Sequence, residues 1–421
     1  MFHHKFKDHP LAVIFLTVFV DLLGVGILIP VIPQLLANPL SEYFMLPAGV
    51  KLSDGFILLG YLSASFSIMQ FLATPILGQL SDRFGRRRLL AVSLFGTCVS
   101  YLLFAFGILT KNIPLLFIAR MFDGITGGNI SVAQAAIADV STHENRAKNF
   151  GLIGAAFGLG FVVGPYIGGK LSDPSIVSWF SATTPFYFAA ILSAVNVVMI
   201  LLFFPETLTE KAHAVRVNWT RSVLNIYHAA THKTLREIFL TVFLFNGGFT
   251  FFTTFFSVFL IQKFSFTQGN IGDFFAYVGL WVAFAQAVVV RQLAKRYSER
   301  TLIRFGLIGT GASIFLFFLP HQAWQLLLVV PLMAISNGLT FANLTALISK
   351  SVGPKVQGEV MGINSSVAAL AMSIPPILSG YIAASVSPNV SIWAGGVVIL
   401  VGAALFWLLY HPQKVQVNEV E

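Results

Sequence analysis

The chain has 421 residues, of which 56% are hydrophobic and 10% charged, with a formal net charge of +9. Soluble domains carry about 25% charged residues, and one core of this size could not bury every apolar helix the sequence encodes, so a soluble fold is excluded. A single cysteine, Cys98, excludes an intrachain disulfide and matches no thiolate metal site.

Crossing a hydrocarbon layer of roughly 30 Å takes about 20 apolar residues in a helix. Spans of that kind are predicted at 11–36, 55–78, 89–109, 113–138, 149–170, 183–204, 236–261, 268–290, 302–319, 323–349, 359–385 and 391–410. The expected fold class is therefore all-α, a polytopic membrane protein of twelve transmembrane helices. "MFHHKFKDHP" runs directly into the first apolar segment with no small-residue cleavage site after it, which reads as a span and not as a signal peptide. Asp21 lies within that span. The second and third spans are joined by "LGQLSDRFGRRRLL", where Asp82, Arg83, Arg86, Arg87 and Arg88 are concentrated. The fourth holds Arg120 and Asp123, three apart and so on one helix face. Charges at such depth cost about 2.5–3.5 kcal/mol each, so they are expected to face a cavity or one another.

Alternate loops divide Lys and Arg unequally: 21 fall on the side of both termini, four (Lys51, Lys111, Lys170, Lys263) on the other, and Arg120 inside a span. This positive-inside pattern puts both termini in the cytoplasm and makes the net charge a matter of topology, not of nucleic-acid binding. The longest connection separates two sets of six spans, giving units at 1–204 and 236–421 with a linker at 205–235. "RVNWTRSVLNIYHAATHKTLREIF" in the linker mixes basic and aromatic residues, as an interfacial helix does. The halves repeat one another faintly: "LTVFV" at 16–20 and "LTVFL" at 240–244, "GQLSDRFGRRRLL" at 78–90 and "RQLAKRYSERTLI" at 291–303, and Pro165 in register with Pro376. Duplicated halves with a site between them are the plan of an alternating-access transporter.

Several of these stretches resemble the signatures of one family, the major facilitator superfamily. "GQLSDRFGRRR" is similar to its loop 2–3 motif and "RMFDGITGGN" to its helix-four motif. "GLGFVVGPYIGG" resembles the helix-five motif of its drug:proton antiporters, while "DLLGVGILIPVIPQL" and "PETL" are similar to the tetracycline-pump-like branch. The resemblance implies a latch at Gly78, Asp82, Arg83, Gly85, Arg86 and Arg87, with Asp139 as the nearest carboxylate partner, holding the two halves together in one state of the cycle. The second-half copy has Lys295 and Ser298 where Asp82 and Gly85 stand, so the latch is expected on one side only. The antiporter motif falls on Gly160, Gly164, Pro165, Gly168 and Gly169. Asp123 stands where the family pattern has an uncharged residue. Asp21, Asp123 and Arg120 are the proton-coupling candidates. Two readings stay open for them: a static pair stapling the first and fourth helices, or an acid that takes up and releases a proton.

In the seventh span Phe245, Phe249, Phe252, Phe256 and Phe259 recur at spacings of four and three, a stripe facing either lipid or a cavity. Facing a cavity, Phe249, Phe252 and Phe256 with Asn246, Gln286, Asn337, Asn343 and Asn364 would suit a lipophilic, amphiphilic substrate. Tetracycline pumps carry a histidine and an aspartate where this chain has Val282 and Thr310, which argues against tetracycline itself. The expectation is a proton-coupled exporter of small amphiphilic compounds in a cytoplasmic (inner) membrane, acting as a monomer. Its partners are protons, lipid and substrate, and it needs neither cofactor nor metal beyond the proton gradient. The alternatives are an uptake symporter or facilitator for a metabolite or siderophore and, more distantly, a receptor that transports nothing. No nucleophile–base pair or phosphate-binding loop argues for an enzyme.

Overall fold

The computed structural model describes residues 10–141, 145–208, 217–232, 235–353 and 357–410, and among these it is helical with no strand. The first half comprises α1 (Pro10–Ile27, resuming at Ile32–Leu36), α2 (Leu52–Phe84), α3 (Arg86–Leu109), α4 (Ile113–Thr126, resuming at Asn129–Asp139), α5 (Arg146–Leu171) and α6 (Thr184–Phe203). The second comprises α7 (Arg236–Phe264), α8 (Gln268–Phe284, running on through a π-helical Ala285–Val290), α9 (Glu299–Leu316), α10 (Leu326–Lys350), α11 (Gln357–Ser385) and α12 (Pro388–Leu409). Nine of the described helices are long and apolar enough to cross a membrane by length and composition alone. The other three are α4, which comes in two pieces, α5, and α9, which opens on Glu299, Arg300 and Arg304.

The interruptions have local causes. Pro30 and Pro33 cannot donate to the helical ladder, and α1 breaks around them before resuming. In α4 the break is Gly127–Gly128. It is held from α2 by Gln70, whose Nε2 donates to the Gly127 carbonyl at 3.0 Å, and by Ser131, whose Oγ donates to the Thr74 carbonyl at 2.8 Å. A backbone group freed inside a membrane must find such a partner.

Within the first half α1 packs on α5 and α6, α2 on α4, and α3 on α4 and α6. Within the second, α7 packs on α11 and α12, α9 on α10 and α12, and α8 on α10. The halves meet along α2–α11 and α5–α8. At α5–α8 two glycines let backbones touch: a Cβ on Gly169 would lie 2.5 Å from the Gln268 carbonyl and 2.9 Å from Gly272 Cα. Gly60 of α2 meets Pro376 and Gly380 of α11 in the same manner. Polar clasps sit beside both crossings. Lys170 Nζ is 2.9 Å from Asp273 Oδ2, and the Tyr61 and Tyr381 hydroxyls are 2.8 Å apart. These contacts lie toward the ends of the helices away from the linker.

At the linker end a short helix, Arg221–Thr231, lies between α2 and α11. Its buried face is Ser222, Asn225 and Ala229, while Trp219, Val223 and Tyr227 are exposed along its outer side. Ser222 Oγ donates to the Phe71 carbonyl at 2.8 Å and Asn225 Nδ2 to Ser366 Oγ at 2.9 Å. The short helix thus has a buried polar side toward α2 and α11 and an aromatic outer side. Residues 209–216 and 233–234 of the linker lie outside the described residues.

Candidate functional site

Four elements converge on the buried charges of the first half. α4 supplies Arg120 and Asp123 one turn apart, with Arg120 Nη1 2.8 Å from Asp123 Oδ2 and both side chains under a tenth exposed. α3 adds Ser100, whose Oγ donates to Asp123 Oδ1 at 3.2 Å. From α2, the Phe66 ring lies 4.4 Å from the Arg120 guanidinium carbon, a cation–π contact. Gly124 brings α4 so close to α2 that a Cβ there would overlap the Phe66 carbonyl. Asp21 projects from α1 and accepts from Asn129 Nδ2 at 3.3 Å, Asn129 being the first residue of α4 after its break.

This arrangement separates the two acids chemically. Asp123 is neutralised in place by its own helix neighbour. Asp21 is 5% exposed and its hydrogen-bond partner is a neutral amide; no Lys, Arg or His among the described residues comes within ion-pair distance of it. The two carboxyls are near enough to repel when both are charged. A staple between the first and fourth helices does exist, but it is Asp21–Asn129 and not an Arg–carboxylate pair. Tyr101 of α3 completes the group: its hydroxyl is buried without a hydrogen-bond partner and fills the place a Cβ of Gly24 would take. Leu28, Ser100, Tyr101, Phe104, Ala119, Arg120 and Asp123 line a crevice that has no room for a water molecule in this conformation. Asn129, Ser100, Tyr101 and Phe66 escaped the sequence reading. "GGN" marked Asn129 as part of a motif, and the other three carry no signal at all in a single sequence.

The basic loop is organised by Gly85 and Arg86. Gly85 has φ of +98°, where a side chain is strained, and any Cβ would also strike the Glu206 carboxylate. Glu206 accepts from the Arg86 backbone N–H at 2.8 Å, so the "PETL" stretch caps the start of α3. The Arg86 side chain is buried, 2.7 Å from Asp82 and 3.0 Å from Asp139 Oδ2, and also bonded to Ser81; Thr207 Oγ1 donates to the same Asp139 oxygen at 3.2 Å. Arg87 bonds the Leu201 carbonyl at the end of α6, Arg83 is exposed over Phe84, and Gly78 lies beside Ser131 with room to spare. Among the described residues these partners belong to the first half and, for Glu206 and Thr207, to the start of the linker. In this conformation the loop clasps α2, α3, α4 and α6 to one another and not to the second half.

The helix-five glycines divide their work. Gly160, Gly164 and Gly168 press on Leu22–Ile27 of α1, with a Gly160 Cβ 2.7 Å from Leu22 Cβ and a Gly164 Cβ 2.7 Å from the Leu23 carbonyl. Gly169 and the Pro165 carbonyl instead face Gly272 of α8, across the halves.

The expected aromatic wall of the second half needs correction. Phe252 and Phe256 are at most 2% exposed and lie 4.5 Å apart between centroids; both pack on Phe317 just past α9, at 5.8 and 5.0 Å, and Phe256 also meets Phe274 and Phe275 of α8, at 5.7 and 6.4 Å. They form the interior of that half, facing neither lipid nor an open cavity. A ring stripe of this width is long enough to fill the space between three helices, and sequence periodicity does not say which neighbour it meets. Phe249 is half-buried between Phe245 and Phe252. Asn246 and Asn343 return their amides to the carbonyls of Val242 and Leu339 on their own helices. Gln286 is exposed, in the π-helical turn of α8 facing Gly338, Asn337 is half-buried, and Asn364 Oδ1 is buried without a partner. These polar groups lie on four helices and do not hydrogen-bond to one another among the described residues. Among the described residues no group of His, Cys, Asp or Glu could hold a metal.

The family model described as Major Facilitator Superfamily matches residues 14–374, and again 238–421. The chain is 32% identical to the class H tetracycline resistance protein of Pasteurella multocida over 96% of each chain. It is 28% identical to Multidrug resistance protein 1 of Bacillus subtilis (strain 168), covering 95% of this chain and 96% of that one. Among solved structures it superposes on the human organic anion transporter MFSD10 with a TM-score of 0.70 at 23% identity, covering 95% of this chain and 99% of that one.

Proposed function

The chain belongs to the Major Facilitator Superfamily and is a multi-pass membrane transporter, not an enzyme; on that premise we propose that it exports small amphiphilic compounds in exchange for protons by alternating access. Drug resistance is what the names of its relatives from Pasteurella multocida and Bacillus subtilis state, and the full-length similarity to both supports carrying that class of cargo over to this chain. Tetracycline is the weaker choice of cargo, because half-buried Val282 and buried Thr310 offer no group that binds a metal chelate.

The observation that carries the proton half of the reading is the unequal state of the two acids. Asp123 and Arg120 neutralise one another inside α4, so that pair adds no net charge to the interior. Asp21 has an amide for company, and its carboxyl can gain or lose a proton without breaking an ion pair. We assign it as the carrier. When the halves rock, water reaches Asp21 from alternate sides. Protonation from outside lets α1 and α4 move without a bare charge, and deprotonation toward the inside accompanies substrate loading. The Arg86–Asp139–Glu206 clasp keeps the first half rigid while this happens. The clasps Lys170–Asp273 and Tyr61–Tyr381 open and close the end away from the linker. Positive-inside counting supports a cytoplasmic membrane location with both termini inside. The proton gradient serves as energy source, with no cofactor and with one chain as the working unit.

The test is reconstitution into vesicles holding a pH-sensitive dye, with substrate-driven proton movement compared in wild type, Asp21→Asn and Asp123→Asn. Coupling lost in Asp21→Asn supports the assignment; coupling kept in Asp21→Asn ends it, whatever Asp123→Asn does.

A further inference from the structure

The end of α12 carries two guanidinium groups that the transport cycle does not use. Arg300 and Arg304 sit four apart on α9 and reach the last turn of α12, where Arg300 Nη2 donates to the Tyr410 carbonyl at 3.0 Å and Arg304 Nη2 to the Trp407 carbonyl at 3.4 Å. Each cation also lies over an aromatic ring: Arg304 is 4.6 Å from the Trp407 centroid and Arg300 is 5.9 Å from that of Tyr410. Both Nε atoms are buried and without a hydrogen-bond partner. Glu299, the nearest acid in sequence, is taken by Lys350, and among the described residues no carboxylate comes within ion-pair distance of either arginine. Two positive charges are thus held side by side with most of their donors unused.

Their surroundings decide what can answer them. Phe305, Trp407, Leu408 and Leu409 are exposed around the pair, an apolar surface of the kind that faces acyl chains. Next to it a groove between α7 and α12 is lined by Leu240, Leu409, Ala230, Arg236 and Glu237. The position is the membrane boundary on the linker side, where Trp and Tyr mark the headgroup level. A ligand that fits must present anionic oxygens to paired guanidinium forks and hydrocarbon to the flanking rings. We propose that Arg300 and Arg304 form a binding site for the phosphate of an anionic phospholipid in the leaflet on the linker side, with the acyl chains lying along Trp407 and Leu408. A lipid held there would brace α9 against α12 and fix the depth of the second half in the bilayer.

The experiment compares wild type, R300Q/R304Q and R291Q/R296Q, the last removing the same charge from exposed arginines between the end of α8 and the start of α9. Each is purified from bilayers of phosphatidylcholine with and without phosphatidylglycerol, and retained lipid is measured by native mass spectrometry. R300Q/R304Q is expected to bind phosphatidylglycerol about 30-fold more weakly, taking about 1 kcal/mol for each arginine, while R291Q/R296Q matches wild type. Equal loss in both variants would mean a diffuse positive field and overturns the site; so does no loss in either. Should R300Q/R304Q fold poorly, R300K/R304K keeps both charges while losing the planar forks, and retention equal to wild type overturns the forked site. In a separate arm inorganic phosphate is titrated against the bound lipid in detergent. Displacement at millimolar phosphate assigns the site to the free anion and overturns the lipid proposal.

Discussion

Asp123→Asn leaves the Arg120 guanidinium buried with no carboxylate beside it. Both side chains are under a tenth exposed, and their 2.8 Å contact is the charge-assisted bond of the pair. Removing one partner of a buried pair costs about 3–5 kcal/mol, since the remaining charge stays desolvated. The Phe66 ring beneath Arg120 is the same in wild type and variant, so it offsets none of this loss. Removing both charges in R120Q/D123N should restore most of the stability, because two neutral amides carry no such penalty. Asp21→Asn is expected to cost only about 1 kcal/mol, since its partner is a neutral amide and the shape is kept. Thermal unfolding of the four proteins in one detergent gives the order: wild type, then D21N, then the double variant, with D123N lowest. Proton release from vesicles should run otherwise, being absent in D21N although that protein is nearly as stable as wild type. A D123N protein as stable as wild type would refute the pairing argument, and coupled D21N would refute the carrier assignment.

Gly85→Ala should destabilise the protein by about 1–3 kcal/mol, because a Cβ at φ of +98° is strained and also meets Glu206. Gly78→Ala, with nothing closer than 3.6 Å, should be tolerated, and comparing the two melting curves checks the contrast. Gly169→Val should hold α5 away from α8 and lengthen the Lys170–Asp273 separation, read as a shifted distance distribution between spin labels on the two halves; an unchanged distribution would count against the glycine crossing as the seal. Glu299 lies on the rim, and its hydrogen bond from Lys350 holds its carboxyl below the usual glutamate range. A depressed acid stabilises above its unfolded value and loses that effect as pH falls through its folded one. The melting-temperature gap between wild type and Glu299→Gln should therefore be present at pH 7 and shrink as the pH is lowered through and below the usual glutamate range. It should be small, under about 1 kcal/mol, because Lys350 is 70% exposed.

The amino-acid sequence alone determined the medium and the all-helical class and led to the expectation of twelve crossings in two sets of six, because each follows from properties counted along the chain: apolar run length, charge per loop and internal repetition. It also brought out Asp21, Arg120 and Asp123, since an ionisable residue in an apolar run is visible without any neighbour. The aromatic stripe showed the limit of that approach. Its periodicity was correct, yet Phe252 and Phe256 meet Phe317 and Phe274, and only packing chose those partners over lipid or a cavity. Tertiary structure likewise decided that Arg120 answers Asp123 while Asn129 answers Asp21, a distinction made by the Gly127–Gly128 break that turns Asn129 toward α1. It joined Glu206 to the backbone of Arg86 across 120 residues, and it laid Arg300 and Arg304 against the last turn of α12. Helices are local objects that a sequence specifies turn by turn; which faces touch is settled by side-chain volume and polar satisfaction among all of them at once.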